Sequence, residues 1–422
     1  MANGNVSNRW LVVLGAILIQ LALGAIYAWS VFTVALKQEP YNFTTPQTQA
    51  VFMAGLFTFA LVMIFAGIQM KKGVPPRTLA MTGGIVLGAG YILGSFLGSS
   101  FIMQFICIGI IGGAGIGIAY VVPIAVGMKW FPDKKGLVSG LAVAGFGFGA
   151  TIWVKVAGSW FGLIDKLGVQ TVFMYYGIAF IVMTVIGSIW MVNPPEGYVP
   201  AGYTPPSSSG GGSKKAVAED FTWQEILKKV AFWTIWLIFV FGGMAGLMVI
   251  GTIRLFGLDA LKNTGMDAAT AGAAAGTAMA WYAIFNGLGR IAWGKISDNI
   301  GPKFAIFLMS LIQGILMLTF YYVGTSALML AVYASAIGFN FGGNFALFPT
   351  VTASLFGTKN VGSNYPFVFT AYGIGGIAGP MLGGFVREAT GSFLMAFVPA
   401  GVVCLLGALL ALSIKPPHHE SA

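Results

Sequence analysis

Asn286 and Arg290 stand four residues apart in a run of small and apolar residues, 271–293. At that spacing they share one face of a helix. The run is long enough to cross a bilayer. A guanidinium in hydrocarbon is expensive and normally faces a cavity or a partner. Among the arginines and lysines, Arg290 is the one placed inside a span with no acidic residue within a helical turn. Three roles fit such a cation. It anchors a small anion with the Asn286 amide beside it, it snorkels to the surface marked by Asp298 and Lys303, or it is a conformational latch.

Aromatic residues at helical spacing could complete a site for an anion. Phe341, Phe345 and Phe348 form one such series, and Tyr365, Phe369 and Tyr372 another. Tyr120 follows Gly113, Gly115 and Gly117, Phe146 lies in a glycine-rich run, and Tyr27 and Val31 are one turn apart. Most aromatic stripes are packing. These adjoin glycines, where a backbone approaches a ligand closely. Rings around a carboxylate would exclude water and strengthen its pairing with Arg290. Tyr120, Tyr372 and Asn286 would supply hydrogen-bond donors.

Other chemistries lack their residues. No span holds an Asp or Glu near its middle, so a relay of buried carboxylates is not expected. Asp267, at the outer start of the eighth span, is the protein side chain that could couple a proton, beside the carboxylate of the substrate itself. There is no Walker A sequence, and the glycines lie inside apolar helices rather than at a strand-to-helix turn. Cys107 and Cys404 both fall in apolar helices, and the histidines are His418 and His419 of the tail. No metal site, no cofactor and no enzyme activity are expected.

Composition states what must position these residues. The chain of 422 residues is 57% hydrophobic and 8% charged, against roughly 25% charged in an ordinary soluble domain. Twelve segments qualify as spans: about 10–36, 48–70, 78–97, 101–128, 136–160 and 171–192, then 230–252, 270–293, 304–323, 327–350, 361–386 and 392–414. The polar stretch 193–229 between the sixes, with Pro-Pro pairs and a Ser-Ser-Ser-Gly-Gly-Gly-Ser run, reads as a linker. The domains expected are 1–192, 193–229 and 230–422. The net charge of +10 is explained by Lys and Arg in loops on one membrane side rather than by nucleic acid. Arg9, Lys71, Lys72, Arg77, Lys129, Lys134, Lys135, Lys214, Lys215, Lys228, Lys229, Lys295, Lys303, Lys359 and Lys415 are on that side, and only Lys37, Lys155, Lys166, Arg254, Lys262 and Arg387 on the other. Both termini and the linker are therefore expected in the cytoplasm. The start, MANGNVSNRW, enters an apolar helix without an A-x-A site, so no cleaved signal peptide is expected.

The halves repeat. Gly117-x5-Pro123 leads to Trp130-Phe-Pro-Asp-Lys-Lys-Gly136, and Gly343-x5-Pro349 leads to Leu355-Phe-Gly-Thr-Lys-Asn360. Two similar six-helix halves place a binding site between them near the midplane. Gly294-Lys-Ile-Ser-Asp298-Asn-Ile-Gly301-Pro-Lys303 resembles the loop motif of the major facilitator superfamily. The region Trp130 to Gly145 resembles the helix 4–5 signature of the monocarboxylate transporter family and its oxalate/formate antiporter relatives. Phe356-Gly-Thr-Lys-Asn-Val-Gly362-Ser-Asn-Tyr365 and Ile26-Tyr-Ala-Trp-Ser30 are similar to the oxalate/formate branch. The resemblance covers essentially the whole chain. It implies an all-α integral membrane protein of twelve helices in two pseudo-symmetric bundles, a multi-pass carrier of the cell (inner) membrane, acting as a monomer.

In that family an Arg of helix 8, preceded by Asp or Asn four residues earlier, binds the substrate carboxylate. Asn286 and Arg290 match it. Tyr120, Phe146, Phe341, Phe345 and Phe369 match positions lining the site. Oxalate exchangers carry a Lys in the context where Tyr372 stands here. One guanidinium pairs bidentately with one carboxylate, and a dianion would leave a charge unmatched in a dry site. The expectation is proton-coupled symport of small monocarboxylates such as L-lactate and pyruvate. The alternative is carboxylate exchange of the oxalate/formate type. Gly375-Gly-Ile-Ala-Gly379-Pro380 looks like the superfamily's antiporter motif, but stands in the eleventh span rather than the fifth. Close packing around a Gly-Pro bend accounts for it.

Overall fold

A computed structural model describes residues 8–158, 160–203 and 219–417. The Ser/Gly run of the linker, 207–213, and the tail histidines His418 and His419 lie outside the described residues. Among the described residues the structure is helical, with no strand. Contacts divide the chain into two compact units, residues 1–216 with 358–366, and residues 217–357 with 367–422.

The first unit opens with α1 (Trp10–Leu23) and α2 (Trp29–Leu36), joined by a tight 3-10 stretch, Gly24–Ala28. Next come α3 (Thr45–Lys71) and α4 (Pro76–Leu97). A short α5 (Phe101–Gln104) widens into π-helix over Phe105–Gly112 and continues as α6 (Gly113–Trp130), followed by α7 (Lys135–Ala157) and α8 (Leu163–Ser188). The second unit holds a short α9 (Trp223–Ile226), then α10 (Val230–Lys262), α11 (Ala268–Ile300), α12 (Pro302–Val323) and α13 (Ala327–Phe356). The bulk of α14 (Val361–Thr390) and α15 (Leu394–Ser413) complete it.

Among the described residues the expected twelve spans are all present as long helical runs, and eleven are both long and apolar enough to cross a membrane. The remaining one, α11, is the helix that carries Arg290. Its first half is mostly alanine, glycine and threonine, so its length rather than its hydropathy marks it. The first and fourth spans depart from simple α-helix at the 3-10 and π stretches. Such interruptions mark places where a helix is locally rewound.

Helix starts follow the side chains that satisfy their first N–H groups. Thr44 and Gln47 form a reciprocal capping box at α3, and Ser326 accepts from Met329 N at 3.2 Å at α13. Between helices, small residues replace hydrophobic drive, because lipid tails are as apolar as the side chains. In the first unit a Cβ on Gly24 would stand 2.1 Å from the Phe146 carbonyl oxygen, and one on Gly117 would stand 2.6 Å from that of Phe59. Backbone therefore meets backbone where α7 passes the 3-10 stretch and where α6 crosses α3.

The resembled loop motifs act as clamps. Asp133 of the Trp130–Gly136 run pairs with Arg9 at 2.7 Å, and the Arg9 guanidinium carbon lies 4.3 Å from the Phe131 ring centre. Trp130 Nε1 donates to the Val192 carbonyl at 2.8 Å. In the second unit Lys303 Nζ donates to the Ile414 carbonyl at 2.9 Å, closing the end of α15.

Candidate functional site

The second unit assembles the predicted anchor on a crossing of two helices. Alpha-carbons of α11 and α13 come so close that a Cβ on Gly289 would lie 1.9 Å from the Phe339 carbonyl oxygen. One on Gly342 would lie 2.1 Å from the Asn286 carbonyl oxygen. Only glycine fits at these two contacts. They bring the rings of α13 beside the polar face of α11.

At this crossing Arg290 is 1% exposed, which makes it one of the largest fully buried side chains in the protein. Its guanidinium does not reach the surface, so snorkelling is not its role. Arg290 Nε donates to Asn286 Oδ1 at 3.1 Å. The guanidinium carbon stands 4.1 Å from the centre of the Phe345 ring. A buried cation over a ring face is stabilised by the ring quadrupole, by about 2 kcal/mol when desolvated. The amide engages one edge of the guanidinium fork and the Phe345 ring covers the cation, so both hold it in place.

Phe345 is held in turn by other predicted residues. Phe341 meets it edge-on at 5.3 Å, Tyr372 packs against it at 5.2 Å, and Tyr372 and Phe369 lie 5.1 Å apart. Pro349 of α13 lacks the N–H that would bond the Phe345 carbonyl, so the helix loosens at the ring that carries the cation.

Several neighbours escaped the sequence reading. Phe239 of α10 stacks on Phe348 at 4.2 Å and reaches Phe369 at 6.1 Å. It sits in a uniformly apolar run that offers no periodic signal. Trp293 Nε1 donates to Asn340 Oδ1 at 3.2 Å, and both residues are buried. Here a signal existed: amides at 340 and 344 in an apolar helix, and a tryptophan three residues after Arg290. With Ser310 and Gln313, the two amides line a pocket of about 10 Å³. That is room for about one water and too little for an organic anion.

The first unit gathers its own predicted residues separately. Phe146 meets Tyr27 and Tyr120 edge-on, each at 5.3 Å, and Phe59 packs against Tyr120 at 5.0 Å. Gln20 Nε2 donates to the Tyr120 carbonyl at 3.1 Å. Tyr27 lies on the 3-10 stretch, while Val31 lies beyond it on α2, half-buried beside Gly158. The 3-10 stretch at 24–28 thus puts the two residues on different elements.

Asp267 is the cap of α11. Its Oδ1 accepts from Thr270 N at 3.0 Å and Ala269 N at 3.1 Å. Hydrogen bonds from Thr270, side chain first and then backbone, hold the carboxyl below its usual range, and it is fully exposed. Such a group stays ionised at neutral pH.

The model of the Major Facilitator Superfamily matches residues 17–275 and 255–422, and the chain belongs to this superfamily. It is similar to the oxalate:formate antiporter of Oxalobacter formigenes, 26% identical over 98% of this chain and 93% of the relative. It is also 26% identical to apicoplast pyruvate carrier 1 of Toxoplasma gondii, over 86% of this chain and 81% of the relative. Monocarboxylate transporter 13 of Rattus norvegicus is 24% identical over 84% and 76% respectively. A crystal structure of the superfamily transporter FucP in the outward conformation aligns with a TM-score of 0.65 at 18% identity, covering 96% of this chain and 99% of that one. The protein is thus a multi-pass membrane transporter rather than an enzyme, and it stands among relatives named for carboxylate transport.

Proposed function

We propose that the transporter carries a small monocarboxylate of the lactate and pyruvate class together with a proton, by alternating access, with Arg290 as the carboxylate's anchor. The observation that carries this reading is the Arg290 guanidinium, 1% exposed, edged by Asn286 and lying over the Phe345 ring. A dry cation oriented in this way attracts one planar anion strongly. Phe341, Phe345, Phe369 and Tyr372 take the apolar part of the substrate. For Tyr27, Val31, Tyr120 and Phe146 the reading proposes contact at some stage of the cycle. Tyr372 stands where oxalate exchangers carry a second cation, which favours one carboxylate over two. Asp267 is better explained as a helix cap than as the proton carrier.

Carboxylate exchange is the second reading, favoured by the oxalate:formate antiporter that matches 98% of the chain. Proteoliposomes separate the two. Labelled lactate and pyruvate should enter faster under an acid-outside gradient. Uptake indifferent to that gradient but driven by internal formate or oxalate selects exchange. Absence of saturable flux for any carboxylate defeats both.

A further inference from the structure

The pocket of about 10 Å³ inside the second unit holds none of the residues assigned to the carboxylate. Four helices enclose it: Gly242 stands on α10, Gln313 on α12, Asn340 and Asn344 on α13, and Cys404 on α15. Gln313 and Asn340 are each 3% exposed and Asn344 is 2% exposed. Among the described residues, neither Nε2 nor Oε1 of Gln313 has a hydrogen-bond partner, and Asn340 Nδ2 and Asn344 Oδ1 are unmet as well. Buried amides normally find partners, because leaving them bare costs free energy that no bulk solvent returns.

The neighbours decide which atom of each amide is left over. Trp293 Nε1 can only donate, so it meets the Asn340 oxygen and leaves the NH2 group. The Phe341 carbonyl can only accept, so Asn344 Nδ2 donates to it at 3.0 Å and the Asn344 oxygen is left. Gly242 makes room for that oxygen, since a Cβ there would stand 2.6 Å from it. The set is one fixed donor, one fixed acceptor, and the Gln313 amide, which offers either. A metal ion would face the Asn340 N–H, an anion would face the Asn344 oxygen, and no charged side chain is among the described lining residues. Water donates and accepts alike, matches the volume, and when buried makes about three hydrogen bonds.

We propose that this pocket binds one water molecule, which donates to Asn344 Oδ1, accepts from Asn340 Nδ2 and makes its third bond with Gln313. The water ties α12 to α13 and, through Asn340, to Trp293 on the helix of Arg290. The site is independent of the substrate, and its test reads no transport. Ionising radiation turns water into hydroxyl radicals that oxidise a sulfur beside it, so label on a buried residue marks resident water. Met309 and Cys404 line the pocket at 2% and 1% exposure. Met317, also on α12, is 0% exposed and does not line it. In the full chain in nanodiscs, a brief X-ray pulse should convert Met309 to the sulfoxide and leave Met317 at background. The Q313L/N344L double variant removes two of the three partners, and the label at Met309 should be lost. The comparison of Met309 with Met317 in the wild type is read alone if that variant does not fold. The proposal is overturned if Met309 and Cys404 take no more label than Met317, or if the folded double variant keeps the wild-type label.

Discussion

An arginine that is 1% exposed in a membrane protein has to be explained by what surrounds it, and here two side chains set its posture. Truncating one partner of a buried charge pair typically costs about 2–5 kcal/mol, roughly 30- to several-thousand-fold in binding. Arg290→Ala should therefore abolish saturable carboxylate uptake in protein that still elutes as a folded species. Arg290→Lys should do nearly the same, because an ammonium has neither the Nε that Asn286 engages nor a plane to lay over Phe345. Full activity in either variant removes the anchor assignment. Tyr372→Lys tests selectivity. It places a cation one ring away from Arg290, through Phe345, and should admit oxalate while slowing lactate. Unchanged selectivity would refute the account of why one carboxylate is preferred. Asp267→Asn tests the cap. An asparagine caps as well as an aspartate. The variant should keep the wild-type dependence of uptake on a pH gradient, and loss of that dependence would make Asp267 the proton carrier after all. The sign is consistent: a carboxyl held below its usual value contributes to stability above that range and loses the contribution as pH falls through its folded value.

Helices α11 and α13 act as a single structural element because their backbones touch. At Gly342 a methyl group would come within 2.1 Å of the Asn286 carbonyl oxygen, on the residue that orients Arg290. Gly342→Ala must therefore push the helices apart, and overpacking of this kind costs about 1–3 kcal/mol or more. We expect a lower unfolding midpoint and weaker substrate affinity together. On the same α11, a Cβ at Gly276 would meet nothing within 4 Å. Gly276→Ala should leave transport unchanged and stabilise the helix by at most about 1 kcal/mol. Equal behaviour of the two variants would show that the close crossing does not set the site. The same contrast explains why α11 tolerates a composition too polar for an independent span. Its packing face is glycine and alanine against a neighbour's backbone, and contact there replaces hydropathy.

Across the whole chain, charge asymmetry makes a claim about orientation. The basic loops at one end of the spans include Arg9, which is tied to Asp133, and Lys303, which is tied to the last helix. If that end faces the cytoplasm, an epitope placed after Lys415 should be reached by antibody only in permeabilised cells or inverted vesicles. Labelling of intact cells at that position would reverse the topology.

Much of this protein is legible without coordinates because the features concerned are local. Span length, linker composition, loop charge and the four-residue offset from Asn286 to Arg290 are written in neighbouring residues, and helical geometry converts them directly into position. Even the resembled motifs were visible, although what they do, clamping loops through Asp133, Trp130 and Lys303, was not. The rewinding at 24–28 and 105–112 and the aromatic support from Phe239 depend on which helix lies alongside, as does the capture of Arg290 by Phe345. No local pattern encodes those choices. They follow from where glycines on distant segments let two backbones meet, and that is decided only when the helices pack.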